Sequence, residues 1–242
     1  MNSFLFLFLL FIIYSIVGYF VEILACSIYS KKFIFSRGFL IGPYLPIYGT
    51  GVVLITIFLS KYRDDLLALF IMSCVFCTIL EYITSYVMEK LFNLRWWDYS
   101  EKKFHINGRV CLSNSILFGI GGLLIVEFFN PLIVKFINYL SPFWFYFISI
   151  ILLFLFIVDF LMTVEIMIKV KVNLSMIEEK DATEQIKKEV RKSLANFNLL
   201  TVRLLKSFPN MEKINGSEFS KLKNTINNIR KEKVNKKKNK EA

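Results

Sequence analysis

Residues 4–26 read FLFLFLLFIIYSIVGYFVEILAC, a run of apolar and small side chains with one charge, Glu22. Roughly 20 apolar residues of helix cross the hydrocarbon core of a bilayer. Lipid offers no partner to backbone N–H and C=O groups, so such a run must close its hydrogen bonds internally, as a helix. Four further stretches meet the same requirement. Residues 38–60 carry no charge, residues 66–88 only Glu81, residues 110–130 only Glu127, and residues 143–164 only Asp159. A membrane β-barrel alternates apolar and polar residues over segments of about ten, and nothing here alternates that way. The fold class is therefore all-α: a polytopic membrane helix bundle of about five transmembrane helices, with the lipid bilayer as its first partner. The opening stretch lacks a basic segment ahead of it and ends on an acid, so it is read as a permanent helix rather than a cleaved signal.

The rest of the composition agrees. The 242 residues are 55% hydrophobic and 20% charged, with 26 Phe, whereas about a quarter of a soluble domain is charged. An ordinary soluble enzyme and a wholly disordered chain are excluded. The four Cys lie in or beside apolar stretches, which is no disulfide framework. Charge divides the chain in two. Residues 1–168 hold 11 Lys/Arg against 10 Asp/Glu, and residues 169–242 hold 19 against 9. We read a transmembrane bundle over 1–168 and a basic cytoplasmic tail over 169–242. In the tail, Ile186, Val190, Leu194, Phe197, Leu204 and Phe208 fall on one helical face, and Phe219, Leu222, Ile226 and Ile229 repeat the spacing before a lysine-rich end expected to be disordered. These faces either dock a partner or the anionic inner leaflet, or pack on each other.

Orientation follows from Lys and Arg, which concentrate on the cytoplasmic side. Lys31, Lys32 and Arg37 follow the first stretch, and Lys90, Arg95, Lys102, Lys103 and Arg109 follow the third. The second is followed by Lys61 and Arg63 offset by Asp64 and Asp65, and the fourth by Lys135 alone. Five crossings, with the N-terminus outside and the tail inside, reconcile these counts. Asn130-Pro131 is expected to end the fourth helix, leaving residues 133–140 along the outer interface. Ser141-Pro142 opens the fifth, where Phe143, Trp144, Phe145 and Tyr146 read as an interfacial aromatic belt.

Polar residues inside these stretches are candidates for function, because charge at membrane depth is expensive. Ser73, Cys77, Glu81, Ser85 and Glu89 share one face of the third helix at i, i+4 spacing, and Ser15, Gly18, Glu22 and Cys26 share one face of the first. Small residues allow close approach, so these two helices are expected to meet there. Asp159 lies toward the inner part of the fifth helix. Residues 38–51 place Gly42, Pro43, Pro46, Tyr48, Gly49 and Gly51 at membrane depth, which predicts either a broken or re-entrant segment lining a site or a kinked helix start. Arg37, Arg95, Trp96, Trp97, Asp98, Tyr99 and Arg109 then gather at the cytoplasmic face, where Trp and Arg also serve as plain interfacial anchors. Carboxylates at that depth need partners, and Glu22 and Glu81 are expected to share cations among Arg37, Arg95 and Arg109.

Three blocks carry a resemblance. They are RGFLIGPYLPIYGTG at 37–51, EYITSYVMEKLF at 81–92, and RWWDYS at 95–100 leading to GRVCLS at 108–113. Together they resemble a bacterial family labelled putative ABC-transporter type IV, or putative ABC transporter permease, most strongly over residues 18–122; Ser207-Phe208-Pro209 is also similar. The resemblance implies a transport role in a bacterial cell membrane. His105 stands where it implies Asn, which argues against an essential imidazole.

The sequence has no Gly-x4-Gly-Lys-[Ser/Thr] phosphate loop, so an ATPase would have to be a separate subunit. One His makes a zinc site or a Ser/His/Asp set unexpected, and Cys74-x-x-Cys77 inside a membrane helix reads as apolar packing. No catalytic residue, metal, cofactor or nucleic-acid partner is expected. Two functions fit: a permease-like transport component with a separate ATPase, working as a homodimer, or a non-transport scaffold, regulator or lipid-headgroup binder at the cytoplasmic face. The topology is tested by single cysteines on a cysteine-free background. An impermeant thiol reagent applied to intact cells should label positions 2 and 138 but not 107 or 224; labelling at 107 would overturn the orientation.

Overall fold

A computed structural model of the chain describes residues 2–30, 38–92 and 95–178. The elements run α1 (Ser3–Ser30), α2 (Pro46–Leu54), α3 (Leu66–Phe92), a two-stranded antiparallel hairpin of β1 (His105–Ile106) and β2 (Val110–Cys111), α4 (Leu112–Leu124), α5 (Asn130–Tyr139) and α6 (Pro142–Glu178). Among the described residues, four helices are long and apolar enough to cross a membrane: Ser3–Ile28, Leu66–Phe92, Leu112–Tyr139 and Pro142–Lys169. The chain is an all-α membrane helix bundle.

The second apolar stretch departs from a simple crossing. Residues 38–45 form no regular structure, and helix begins only at Pro46, whose missing N–H and fixed φ suit a first helical turn. From there α2 continues through a π turn (Ile55–Leu59) and a 3-10 turn (Ser60–Tyr62). This is a shorter apolar helix, Pro46–Tyr62, about 25 Å long at 1.5 Å per residue and so shorter than a hydrocarbon core of about 30 Å.

Asn130-Pro131 does not end the fourth helix. Helix runs on from Leu112 to Tyr139 through a π turn at Ile125–Phe129. Pro131 has no N–H to give the carbonyl four residues back, and the wider turn absorbs that loss: the Asn130 N–H reaches back five residues to the Ile125 carbonyl. Residues 133–140 are therefore not an interfacial segment, and Ile137 is buried against α1. The aromatic belt is likewise corrected at one position. Phe143, Trp144 and Tyr146 are exposed, but Phe145 is wholly buried beside Leu10 and Ile137.

The short helix is the hub of the packing. Val52 joins Leu9, Leu10, Tyr14, Ile137 and Phe145 in one core, Ile55 and Leu59 join Leu69 and Val126 in a second, and Leu45 joins Tyr19 and Ile23 in a third. The small-residue face of α1 meets α2, not α3 as its pattern suggests. A Cβ at Gly49 would strike the Phe11 carbonyl and the Ser15 hydroxyl of α1. On the other side α3 packs on α4, where Gly122 receives Ser73 and Gly119 receives Cys74 and Phe70.

Gly49 and Gly121 make a matched test. The Gly49→Ala methyl must displace backbone, whereas a methyl at Gly121 meets nothing within 4 Å. Gly49→Ala is expected to lose about 1–3 kcal/mol in detergent unfolding. Gly121→Ala should be neutral or gain up to about 1 kcal/mol from helix propensity. Equal losses would disprove the close α1–α2 approach.

Candidate functional site

Among the described residues, four polar groupings gather candidates from the sequence, and each is anchored on a helix face. The first is on α6. Asp159 Oδ1 accepts the Ile41 N–H at 3.0 Å and the Thr163 hydroxyl at 3.2 Å, while Oδ2 accepts the Gly42 N–H at 2.8 Å and the Tyr44 hydroxyl. The carboxylate thus satisfies consecutive backbone donors of the irregular segment, which Pro43 and the missing helix leave without partners. The Leu45 N–H completes the segment by bonding the Ser15 carbonyl of α1 at 2.9 Å.

The second grouping joins α1 to α2. The Tyr48 hydroxyl donates to Glu22 Oε2 at 2.9 Å, and the Cys26 thiol donates to Oε1 at 3.2 Å. The third surrounds Glu81, which is 5% exposed. The Tyr99 hydroxyl donates to Glu81 Oε1 at 3.1 Å and itself accepts from Asn114 Nδ2 at 2.6 Å. Asn114 is near enough to polarise Glu81, but its amide is directed at Tyr99. Glu81 Oε2 is buried and meets no donor among the described residues. Burial, followed by the Glu81 charge, holds the Tyr99 hydroxyl well above the usual tyrosine pKa, so it remains a donor. Glu22 and Glu81 lie within electrostatic reach of each other, and Tyr48 and Tyr99 each within reach of both acids, which joins the second and third groupings.

The fourth grouping ties the loop to α3. Arg95 Nε and Nη2 hold Glu89 at 2.7 and 3.2 Å, and Arg109 Nη2 holds Glu89 Oε2 at 2.6 Å. Arg109 also donates from Nη1 to Ser85 Oγ at 3.3 Å and lies over the rings of Tyr82 and Tyr86. Hydrogen bonding to Glu89 holds the Arg95 guanidinium above its ordinary pKa. These bonds correct the expected pairing: Arg95 and Arg109 go to Glu89 rather than to Glu22 or Glu81. Arg37 lies outside the described residues, as does the tail from 179 onward.

Local geometry fixes the hairpin that delivers Arg109. Asn107 and Gly108 both have positive φ, 53° and 67°, and the Arg109 N–H donates to the Ile106 carbonyl at 2.9 Å. This is the mirror-image turn that Asn-Gly favours. The Trp97 indole donates to the Arg109 carbonyl at 2.8 Å, the Tyr99 N–H donates to the Gly108 carbonyl at 2.8 Å, and His105 Nδ1 accepts the Gly108 N–H at 3.1 Å. Trp96 packs on Phe39, and Asp98 accepts the N–H and hydroxyl of Ser100. His105 is thereby a turn residue.

A family model described as Putative ABC-transporter type IV matches residues 9–164. The chain belongs to that family. The matched span runs from α1 into α6 and contains all four groupings. No curated protein and no solved structure matches the chain. Family membership makes this a membrane protein related to ABC transport.

Three contributors lay outside the sequence-based candidates. Tyr44 and Asn114 complete the Asp159 and Glu81 groupings. The third is a buried chain in which the Tyr14 hydroxyl donates to Asn130 Oδ1 at 2.8 Å, Asn130 Nδ2 to Thr56 Oγ1 at 2.8 Å, and the Thr56 hydroxyl to the Val52 carbonyl at 2.7 Å. An Asn inside an apolar stretch was the available signal, since such residues bond between membrane helices.

A double-mutant cycle tests the ion pairs. Arg109 is 8% exposed, and breaking one partner of a buried pair costs roughly 3–5 kcal/mol. Glu89→Gln and Arg109→Gln are each expected to lose about 3 kcal/mol in detergent unfolding, at the low end because Glu89 is only partly buried. The double variant should lose far less than the sum, whereas Glu81→Gln with Arg109→Gln should be additive. The reverse result would restore the Glu81–Arg pairing.

Proposed function

We propose that this chain is the membrane-embedded, permease-like component of a transporter whose ATPase is a separate polypeptide, working as a homodimer in the bacterial cell membrane with the N-terminus outside and the tail cytoplasmic, an orientation in which the short helix Pro46–Tyr62 is a fifth crossing beside the four long ones. The observation that carries this reading is Glu81: almost wholly buried on a membrane helix, with Oε2 lacking any donor among the described residues. Glu22 stands within electrostatic reach beyond it. A buried carboxyl with spare acceptor capacity costs several kcal/mol unless it meets a proton, a cation or a polar substrate. That is the chemistry of a pathway rather than of packing, and membership in an ABC-transporter family supports the same reading. The four long helices of one chain are few to enclose a path, which is why a second copy is invoked. The hairpin, tied to α3 by the two arginines on Glu89, offers a firm surface at the same end of the bundle for an ATPase to act on.

The test is affinity purification of the full-length chain from its native membrane in mild detergent. An ATPase subunit is expected to co-purify. Glu81→Gln should leave the amount bound unchanged and lower ATP turnover of the complex at least tenfold. Failure to recover an ATPase would favour the second reading, a scaffold, regulator or lipid-headgroup binder at the cytoplasmic face, which the rigid Arg95–Glu89–Arg109 tie also suits.

A further inference from the structure

The loop that precedes β1 carries a further feature beside the Glu81 grouping, whose Tyr99 ring lies 5.2 Å from the Lys102 ammonium. Lys102, Lys103 and Phe104 and, on the first turns of α4, Leu112, Ser113 and Ile116 line an open crevice of about 380 Å³. Its floor is apolar and its rim is cationic. Glu101 precedes the lysines in sequence but does not line it. Phe104 adopts φ +54°, a left-handed conformation unfavourable for a bulky side chain. The ring that this backbone presents is 78% exposed, and Ile106 beside it is 60% exposed. The Phe104 carbonyl is held by the Leu112 N–H at 3.1 Å, so the strained residue is fixed to the start of α4. Strain of this kind, maintained by the surrounding structure, points from the outlier toward a function.

Position supplies the remaining constraint. Leu112 begins the apolar span Leu112–Tyr139. A crevice wrapped around the first turns of that span lies where hydrocarbon gives way to headgroups. Apolar side chains exposed there face lipid, and lysines there reach the phosphate level with their stems along apolar surface.

We propose that this crevice is a binding site for an anionic phospholipid. The two lysines hold the headgroup phosphate, Ser113 stands at the rim, and the acyl chain lies along Leu112 and Ile116 beneath the Phe104 ring. Charge complementarity selects the occupant: two lysines beside an apolar lining, Lys102 with its ammonium over the neighbouring Tyr99 ring, fit a molecule that is anionic at one end and hydrocarbon at the other. The site needs no transport activity, so it stands or falls independently of the permease reading.

The full-length protein in zwitterionic detergent micelles is titrated with phosphatidylglycerol, with phosphatidylcholine of the same acyl chains, and with inorganic phosphate, following bound lipid by native mass spectrometry and the unfolding temperature in parallel. Phosphatidylglycerol is expected to bind and raise the unfolding temperature, and neither other ligand should do so at equal concentration. Each lysine near a lipid surface contributes about fivefold in affinity. K102Q/K103Q should therefore weaken phosphatidylglycerol binding by at least tenfold. F104S should weaken it without removing the preference over phosphatidylcholine, and K61Q, outside the crevice, should leave it unchanged. All three lysines are exposed, so these variants are expected to fold. Unaltered phosphatidylglycerol binding by K102Q/K103Q would overturn the proposal. So would a response to inorganic phosphate equal to that for the lipid, because the acyl contacts would then contribute nothing.

Discussion

An apolar bundle can hold eight residues without helical hydrogen bonds only if something else accepts their N–H groups. Here the carboxylate of Asp159 accepts two consecutive ones. It takes the Ile41 and Gly42 amides and the Tyr44 hydroxyl, while the Ser15 carbonyl takes the amide of Leu45. In water these donors would be indifferent to the loss of one acceptor; at membrane depth each unsatisfied group costs several kcal/mol. The acid on α6 and the irregular segment are therefore mutually required. Pro46 can open its short helix against α1 because the preceding turn is held from the far side, and the three apolar cores then assemble around that helix.

The same logic orders the opposite chemistry at the end of α3. A single carboxylate, Glu89, gathers two guanidinium groups from separate parts of the following loop. Each arginine would be costly alone at the edge of the bundle; Arg95 grips the carboxylate with two bonds of its planar fork, and Arg109 shares it through one bond while its second nitrogen goes to Ser85. With Arg95 and Arg109 committed there, Glu81 is left to the Tyr99 hydroxyl, which Asn114 supports in turn. The two acids stand eight residues apart on one helix face, yet one is saturated with charge and the other has an oxygen to spare. That contrast, more than the presence of either acid, separates a structural tie from a candidate pathway.

Much of the fold was legible because lipid imposes simple rules: long apolar runs must be helices, and the face of α3 bearing Ser73, Glu81 and Ser85 is the buried one. What could not be read was the response of the backbone to proline. Asn130-Pro131 looks like a helix end by local propensity, and only the tertiary bonds of Asn130 to Tyr14 and Thr56, with the wider turn before it, show why helix continues. The site residues were found by type, since charge and amide groups within apolar runs are rare. Their partners were not, because electrostatic arithmetic pairs any acid with any base at similar depth. Choosing Glu89 over Glu81 requires knowing that the Asn107-Gly108 turn aims Arg109 at Ser85 and Glu89.

The two π turns, Ile55–Leu59 and Ile125–Phe129, pack their Ile55, Leu59 and Val126 side chains into a common core. Each π turn accommodates one residue more than α-helical winding would use over the same rise. The first is thus a reservoir of length within its helix. Loss of one residue from the Ile55–Leu59 turn can be taken up by rewinding to α geometry, leaving the facing of every later side chain unchanged, whereas Pro131 keeps the Ile125–Phe129 turn wide. The same deletion one turn away would rotate the remainder of the helix by about 100°. Tolerance to a single deletion in this membrane bundle therefore extends to the Ile55–Leu59 turn, inside an apolar run, as well as to the loops where length variation is ordinarily absorbed.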